Sequence, residues 1–487
     1  MSRKEETLDP ENWDELRSLG HRMLDDMMDT LENSGTFPFR FPSNEDVANI
    51  LTPLSEEGDG EEATYQIFKN HILPSVFAHT RPKWWALVAG TGSTYGMLAE
   101  MLTSGTNLGL ETMLSSFYTH KQVIDWVKEL LEYPKEAGGV LVSGGSEANF
   151  TGLAVARNAK ARQDMKSKGV QGVTEKMTLY GSEEMHHCLE RSVEILGLGN
   201  EALRWLPTDD GCRIKVESLR KAIHEDRGKG LHPFCVIGNA GTVNSGAFDD
   251  FKTLRNIADK EEMWLHVDGA FGSWVKLSET HKHLADSIEL ADSLAVDLHK
   301  WMYMPYGIGC TLVRDKLAHY STFVYGHEAA YLKSSKEVRE LMEQDTLRNP
   351  HSLALPLSRN FTSLKAYMLL RAYGKNKYKR LIQQNLDQIN YLADLIEKAP
   401  YLEVAAPVVS NIVCFRYIRE GLSESELEEL NQNIRRKLQM TDFGIISDTS
   451  IKGRYMLRAC CVNHRSRRED FDYLLAKLEE IGKELSS

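Results

Sequence analysis

In the stretch DSLAVDLHKWMYMPYGIG, Lys300 follows a run that reads as a buried strand and precedes an aromatic, methionine-rich turn. An unpaired ammonium is costly to bury, so such a lysine is turned to water, paired, or used chemically. Two other stretches bear on that choice. VLVSGGSEANFTGLAVARN sets Gly144, Gly145 and Ser146 at the start of an Ala-rich helix. Glycines let a backbone approach a ligand, free N–H groups and the helix dipole favour an anion, and Ser146 can cap the helix and donate to a phosphate. The stretch is either a phosphate cup or a plain βα turn, and it lacks the spacing of a nucleotide P-loop or a dinucleotide site. WLHVDGAFG ends an apolar strand on Asp268, which is either a turn aspartate or a buried carboxylate awaiting a cation. Gly269 and Ala270 beside it leave room for a flat ring.

The elements that must bring these residues together can also be read. From about residue 138, the runs GGVLVS, MTLY, LRWL, FCVIGNAG, MWLHVD, DSLAV and GCTLV each have the length and apolarity of a buried strand. FDDFKTLRNIADK between two of them, acidic at its start and basic at its end, makes a β-α-β unit and predicts a mostly parallel sheet. Ligands of such sheets sit beyond the strand carboxyl ends, where Ser143–Ser146, Gly238–Thr242, Asp268 and Asp297–Lys300 all fall. After Lys365 come a long helical tract to Lys398, the strand-like NIVCFRY and YMLRACCV, and two further helices. The expected division is a helical arm over 1–80, a large α/β unit over 81–365 and a smaller α/β unit over 366–487. In the arm, Trp13, Leu16, Met23, Leu24, Met27 and Leu31 recur at helical spacing.

Composition excludes several functions. The 487 residues are 42% hydrophobic and 26% charged, as expected of a soluble globular protein, with a net charge of −12 that disfavours a nucleic-acid partner. No apolar stretch approaches the ~18 residues of a membrane span and the polar start lacks a signal-peptide core, so the expected location is cytoplasmic. Seven scattered cysteines without C-x-x-C, and histidines without H-E-x-x-H, point to neither a disulfide framework nor a metal site.

A lysine, a phosphate cup and an acid able to face a ring nitrogen are together the parts of a Schiff-base site for pyridoxal phosphate. SGGSEAN, HVDGAFG and DLHKWMYMPYGIG, in this order and spacing, resemble the pyridoxal-phosphate-dependent group II amino acid decarboxylases, from about Pro82 to about Tyr373. The resemblance implies a fold-type-I enzyme: a mostly parallel sheet flanked by helices, with an N-terminal helical segment and a smaller C-terminal α/β domain. It also implies a homodimer with active sites at the subunit interface, each N-terminal segment wrapping its partner.

Carried over by position, Lys300 matches the lysine that binds the cofactor, and Asp268 the carboxylate that pairs with its ring nitrogen. His186 matches the histidine stacked on the ring, otherwise a surface histidine. Thr242 matches a threonine at the cofactor's polar edge, Ala270 a small residue against the ring, and Gly144, Gly145 and Ser146 the phosphate cup, with His299 nearby. Asp297 replaces a frequent asparagine, and a carboxylate there repels a phosphate unless turned aside or hydrogen-bonded. GHEAAYLKSSKE resembles the loop that closes over the substrate, with Tyr331 as the phenol that protonates Cα after carbon dioxide leaves. Relatives that form aldehydes commonly carry Phe there, so Tyr331 and His186 favour plain decarboxylation. LPLSRNFTSLK places Arg359 near the cofactor or the closing loop, although Asn360 breaks the usual Arg-Arg pair. RPKWWALVAGTGS matches a segment lining the substrate side, so Trp84 and Trp85 are either an aromatic wall or interface core. Ser358 stands where ring preference varies and leans toward phenols.

The expected function is therefore decarboxylation of an L-amino acid, favouring an aromatic one, to its amine. A glutamate- or aspartate-type decarboxylase, an aldehyde-forming enzyme and a cofactor-binding scaffold remain as alternatives.

Overall fold

Runs such as Val140–Val142 and Leu294–Val296 are apolar at every position, so both of their faces must be covered, and the fold is built around that requirement. The computed structural model describes residues 6–37, 40–109, 115–172, 174–324, 350–440 and 444–486. The first strand, β1 (Trp84–Trp85), joins a sheet formed by the C-terminal part of the chain. The next seven are β2 (Gly138–Val142), β3 (Met177–Ser182), β4 (Leu203–Leu206), β5 (His232–Asn239), β6 (Trp264–Asp268), β7 (Ser293–Asp297) and β8 (Gly309–Val313). They coincide with the seven runs read from the sequence. They form one sheet in the order β2-β8-β7-β6-β5-β3-β4. Only β8 runs against the others, pairing antiparallel with both β2 and β7.

Helices cover both faces. Cys235 and Ile237 of β5 pack with Leu153 and Val155 of the helix Gly145–Lys160. Val236 between them points the other way, into a core shared with Phe251, Leu254 and Ile257 of the helix Phe251–Lys260. That helix starts where Asp250 accepts the Thr253 N–H as its N-cap, within the acidic start of the stretch. Gly152 is required on the first helix because a Cβ there would lie 2.6 Å from Cε1 of the buried His266.

The second sheet adds β9 (Leu402–Val404), β10 (Ile412–Tyr417), β11 (Ile445–Ile451) and β12 (Arg454–Cys460), in the order β1-β11-β12-β10-β9. Phe415, Leu457, Phe471 and Leu474 form its core against the helices Glu424–Met440 and Arg468–Ser486. The helix Thr362–Lys398 ties the two sheets together and is broken at Gly374, where φ is 65°. Before the break, Ala366 and Leu369 pack into the core of the large sheet; toward its end, Ile389 and Ile396 pack into that of the small one.

β1 corrects one expectation. Its parallel pairing with Ile445 and Ile446 carries Trp85 into the C-terminal core, where the side chain is 0% exposed. There it donates Nε1–H to Ser466 Oγ at 3.1 Å and stacks on Phe471 at 4.7 Å. Trp85 is packing, not a wall of the substrate site, because the strand pairing fixes which way its ring points. Trp85→Ala is expected to lower unfolding free energy by about 3–5 kcal/mol. Denaturant titration checks this, and the enzyme that stays folded should keep an unchanged KM.

In the N-terminal helix Trp13–Glu32, Asn12 accepts the Asp14 and Glu15 N–H groups as the cap. Leu19 is its buried apolar residue, whereas Trp13 and Met23 are exposed on the single chain.

Candidate active site

The parallel strands all deliver their carboxyl ends to one edge of the large sheet, and the loops there enclose a cavity of about 520 Å³. From β2 come Gly144, Gly145 and Ser146; from the segment after β3, His186; from β6 and its loop, Asp268 and Ala270; after β7, His299 and Lys300. Eight residues chosen from the sequence thus line a single cleft.

The helix Gly145–Lys160 points its first turn at the cleft, and no side chain caps it. Gly144 permits this, since a Cβ there would lie 2.9 Å from the His299 ring. An uncapped helix N-terminus walled by glycines suits an anion. Asp268 is 8% exposed; one oxygen accepts the Ala270 N–H at 3.1 Å, and the other accepts no hydrogen bond among the described residues.

Lys300 Nζ lies 3.0 Å from Asp297 Oδ2. Burial works against its charge, but Asp297 and Asp268 together outweigh that and hold its pKa above the ordinary lysine value. His186 is open to the cleft and accepts the Cys188 N–H at Nδ1. Desolvation by the surrounding walls lowers its pKa against the pull of Asp268, which leaves a neutral ring.

A segment of the chain after β1 crosses the lysine. A Cβ on Gly90 would fall 1.8 Å from the His299 carbonyl oxygen and 2.6 Å from that of Lys300. The same segment is held from the small sheet, where Arg458 donates to Leu87 O at 3.0 Å and Arg465 to Thr91 O at 3.1 Å. Gly90→Ala must therefore push backbone against backbone. It is expected to cost about 2–3 kcal/mol of stability and to lower cofactor occupancy, read by thermal unfolding together with cofactor content.

Other sequence-chosen residues lie elsewhere. Thr242 is buried in its own turn, its hydroxyl 2.9 Å from Ser245 Oγ and accepting the Ala247 N–H, so its neighbours Gly241 and Val243 line the cleft instead. Ser358 is exposed and is not among the lining residues. Arg359 donates to the carbonyl oxygens of Leu141 and Pro356, which turns it away from the cleft. Trp84 donates to Ala86 O and packs on His79 at 4.6 Å. Tyr331 lies outside the described residues.

The cleft also holds residues that sequence reasoning passed over. Glu147 ties down the glycine loop by accepting both the N–H and the hydroxyl of Ser143. Asn149 connects the cleft to the buried core, its Oδ1 2.8 Å from His266 Nε2 and its amide donating to Cys188 Sγ. Both stand inside SGGSEAN, and their spacing of two and four residues into a helix starting at Gly145 was the available signal.

A lysine among carboxylates, an open helix N-terminus and a flat cleft at the strand ends define a class: a pyridoxal phosphate enzyme of fold type I. The pyridoxal-dependent decarboxylase conserved domain matches residues 47–418, and the chain belongs to that family. It is 30% identical over 479 residues to the aromatic-L-amino-acid decarboxylase of Bacillus atrophaeus, covering 97% of this chain and 96% of the relative. It is 28% identical over 465 residues to a phenylacetaldehyde synthase of Arabidopsis thaliana, covering 93% and 92%. The structure of Oryza sativa TDC with PLP and tryptamine superposes with a TM-score of 0.90 at 21% identity, covering 99% of this chain and all of that one.

The residues present fit pyridoxal phosphate. The open N-terminus at Gly144–Ser146 suits a phosphate, the uncommitted oxygen of Asp268 suits a protonated ring nitrogen, and Lys300 offers the amine. Asp297 is turned onto Lys300, which removes the objection that it would face the phosphate unpaired.

Proposed function

We propose that the chain converts an aromatic L-amino acid to the corresponding amine and carbon dioxide, acting as a cytoplasmic homodimer. The observation that carries the reading is the convergence of Lys300, Asp268 and His186 on one cleft at an uncapped helix start. The likeness to an aromatic-L-amino-acid decarboxylase over nearly the whole chain supports the aromatic preference.

When bound, pyridoxal phosphate supplies an electron sink for the pair released as the Cα–carboxylate bond breaks. Lys300 would hold it through its side-chain amine. Gly144, Gly145 and Ser146 hold the phosphate by backbone and hydroxyl donors, and His299 backs the glycine wall. Asp268 keeps a proton on the ring nitrogen, because an adjacent carboxylate raises the proton affinity of a base. His186 and Ala270, which line the same cleft, would pack against the ring. The Tyr331 phenol delivers a proton to Cα while its loop excludes water. Trp84 is assigned to the substrate side of the neighbouring subunit's site, Ser358 to ring preference, and Arg359 to the substrate side near the closing loop. Residues 1–80 form the arm that wraps the partner, a use that suits the exposed Trp13 and Met23; residues 81–365 hold the cofactor, although β1 among them joins the small sheet, and 366–487 form the smaller unit, although Ala366 and Leu369 at its start pack on the large sheet. None of the helices among the described residues is long and apolar enough to cross a membrane.

A second reading, aldehyde formation, is favoured by the similarity to phenylacetaldehyde synthase. Supplying tyrosine, tryptophan, phenylalanine, DOPA, 5-hydroxytryptophan, glutamate and aspartate separately, and measuring carbon dioxide, amine, aldehyde and hydrogen peroxide, tests both. Amine with carbon dioxide from an aromatic substrate is expected. Aldehyde with peroxide and no amine would overturn the first reading in favour of the second, and turnover of glutamate or aspartate alone would overturn the aromatic preference.

A further inference from the structure

Asp297 closes β7 with a carboxylate that is 1% exposed, and neither of its oxygens accepts an aligned hydrogen bond among the described residues. It cannot swing away. A Cβ on Gly145 would lie 2.7 Å from Oδ2 and one on Gly309 2.6 Å from Oδ1, so backbone walls fix it on two sides. A carboxylate buried this deeply needs a compensating charge. Two groups are within reach: Lys300 Nζ at 3.0 Å and His299 Nε2 at 3.7 Å. The His299 Nδ1 lies 2.9 Å from the carbonyl oxygen of Ile308, which can only accept, and 3.4 Å from the Ile308 N–H; the shorter contact places the proton on Nδ1. Burial lowers the pKa of this ring, so it is neutral and its Nε2 presents a lone pair rather than a donor. The compensation falls to Lys300. The other titratable groups around Lys300 are Asp268, Glu147, His186, Cys188, Tyr306 and Cys460, of which Asp268 and, less strongly, Cys188 add to the pull on the ammonium.

We propose that Asp297 is a positioning residue that holds Lys300 as an ammonium in the cofactor-free chain, so that capture of the cofactor waits on loss of that proton. The inference rests on the cofactor reading given above. Attachment joins Lys300 Nζ to the aldehyde carbon as the carbonyl oxygen leaves as water. It involves no oxidation, and it requires the neutral amine because an ammonium has no lone pair to offer. A carboxylate at 3.0 Å therefore sets the pH at which attachment becomes fast.

The test mixes the cofactor-free, full-length chain with pyridoxal phosphate, and separately with pyridoxal, from pH 6 to pH 10. It follows the absorbance of lysine-bound cofactor in the ~400–430 nm region. In the wild type the rate is expected to climb throughout this range. In Asp297→Asn it should be about tenfold or more faster near neutrality, tenfold for each unit by which the lysine pKa falls, and should level off at lower pH. The same shift is expected with pyridoxal, because the effect acts on the amine. Superimposable profiles would overturn the inference, as would an advantage confined to the phosphate ester, which would mean that Asp297 acts by repelling phosphate. A wild-type profile already level below pH 8 would overturn it without any variant having to fold. Absence of the band in the wild type at every pH is a distinct result, which would remove the cofactor reading and this inference together.

Discussion

Lys300→Ala is expected to lose decarboxylation by on the order of 10⁴-fold and to lose the absorbance of lysine-bound cofactor altogether. The size follows from the chemistry assigned to this side chain: no other amine of the chain lines the cleft among the described residues. The variant carries a structural cost that must be separated from the chemical one. Removing the ammonium leaves Asp297 buried beside nothing that can balance it, a loss of up to about 3 kcal/mol. Lys300→Arg separates the two, because it keeps a cation near Asp297 while its guanidinium, protonated at all working pH values, cannot form the bond. Both variants are expected to be inactive, with Lys300→Arg the more stable in thermal unfolding. Activity of either above about one-hundredth of wild type, or borohydride labelling of a peptide lacking residue 300, would take the role away from Lys300.

The second large effect is expected at Asp268. Asp268→Asn should lower kcat/KM by about 10³-fold, equivalent to ~4 kcal/mol, with little change in stability. Asparagine is the informative replacement because its Oδ1 can still accept the Ala270 N–H, so the loop after β6 keeps its 3.1 Å hydrogen bond. What it loses is the charge. A neutral amide cannot hold a proton on a ring nitrogen as a carboxylate does, and the electron demand of the ring falls accordingly. The variant should still take up cofactor, since Lys300 and the glycine cradle are untouched. Steady-state kinetics beside cofactor content distinguishes this outcome from simple loss of binding. Retention of more than about a tenth of wild-type kcat/KM would exclude the role.

The contrast between these residues and Trp85 shows what kind of information a sequence holds. Asp268 and Lys300 each sit at or just beyond the end of an apolar run. In a parallel sheet that position alone sends a side chain to the binding edge, because all such ends share one side. The glycine cradle was legible for a similar reason: residues without side chains at a strand-to-helix junction leave the backbone N–H groups open to a ligand. Trp84 and Trp85 are adjacent in the chain but separate in space. The strand they form takes its register from Ile445 and Ile446, about 360 residues away, which sends one ring into the C-terminal core and leaves the other half-buried. Strand β1 itself, with β9 and β11, was invisible as a strand because two or three residues, or a polar run such as Ser447–Ser450, carry no apolar alternation to read.

The sequence by itself determined the seven-strand α/β core, the glycine-lined helix start at Gly144–Ser146, and the placing of a lysine and an acid suited to pyridoxal phosphate at strand ends, since each depends on local apolarity and on spacing within one element; that the helix start carries no side-chain cap, where Ser146 could have supplied one, came from the structure. Tertiary structure alone decided that Asp297 faces Lys300 rather than a phosphate, that Thr242 is spent on its own turn, that Trp85 is core, and that Gly90 lies across the lysine backbone. Those outcomes depend on contacts between segments far apart in the chain. Their geometry is fixed only when both partners are in place, so no pattern in either segment records it.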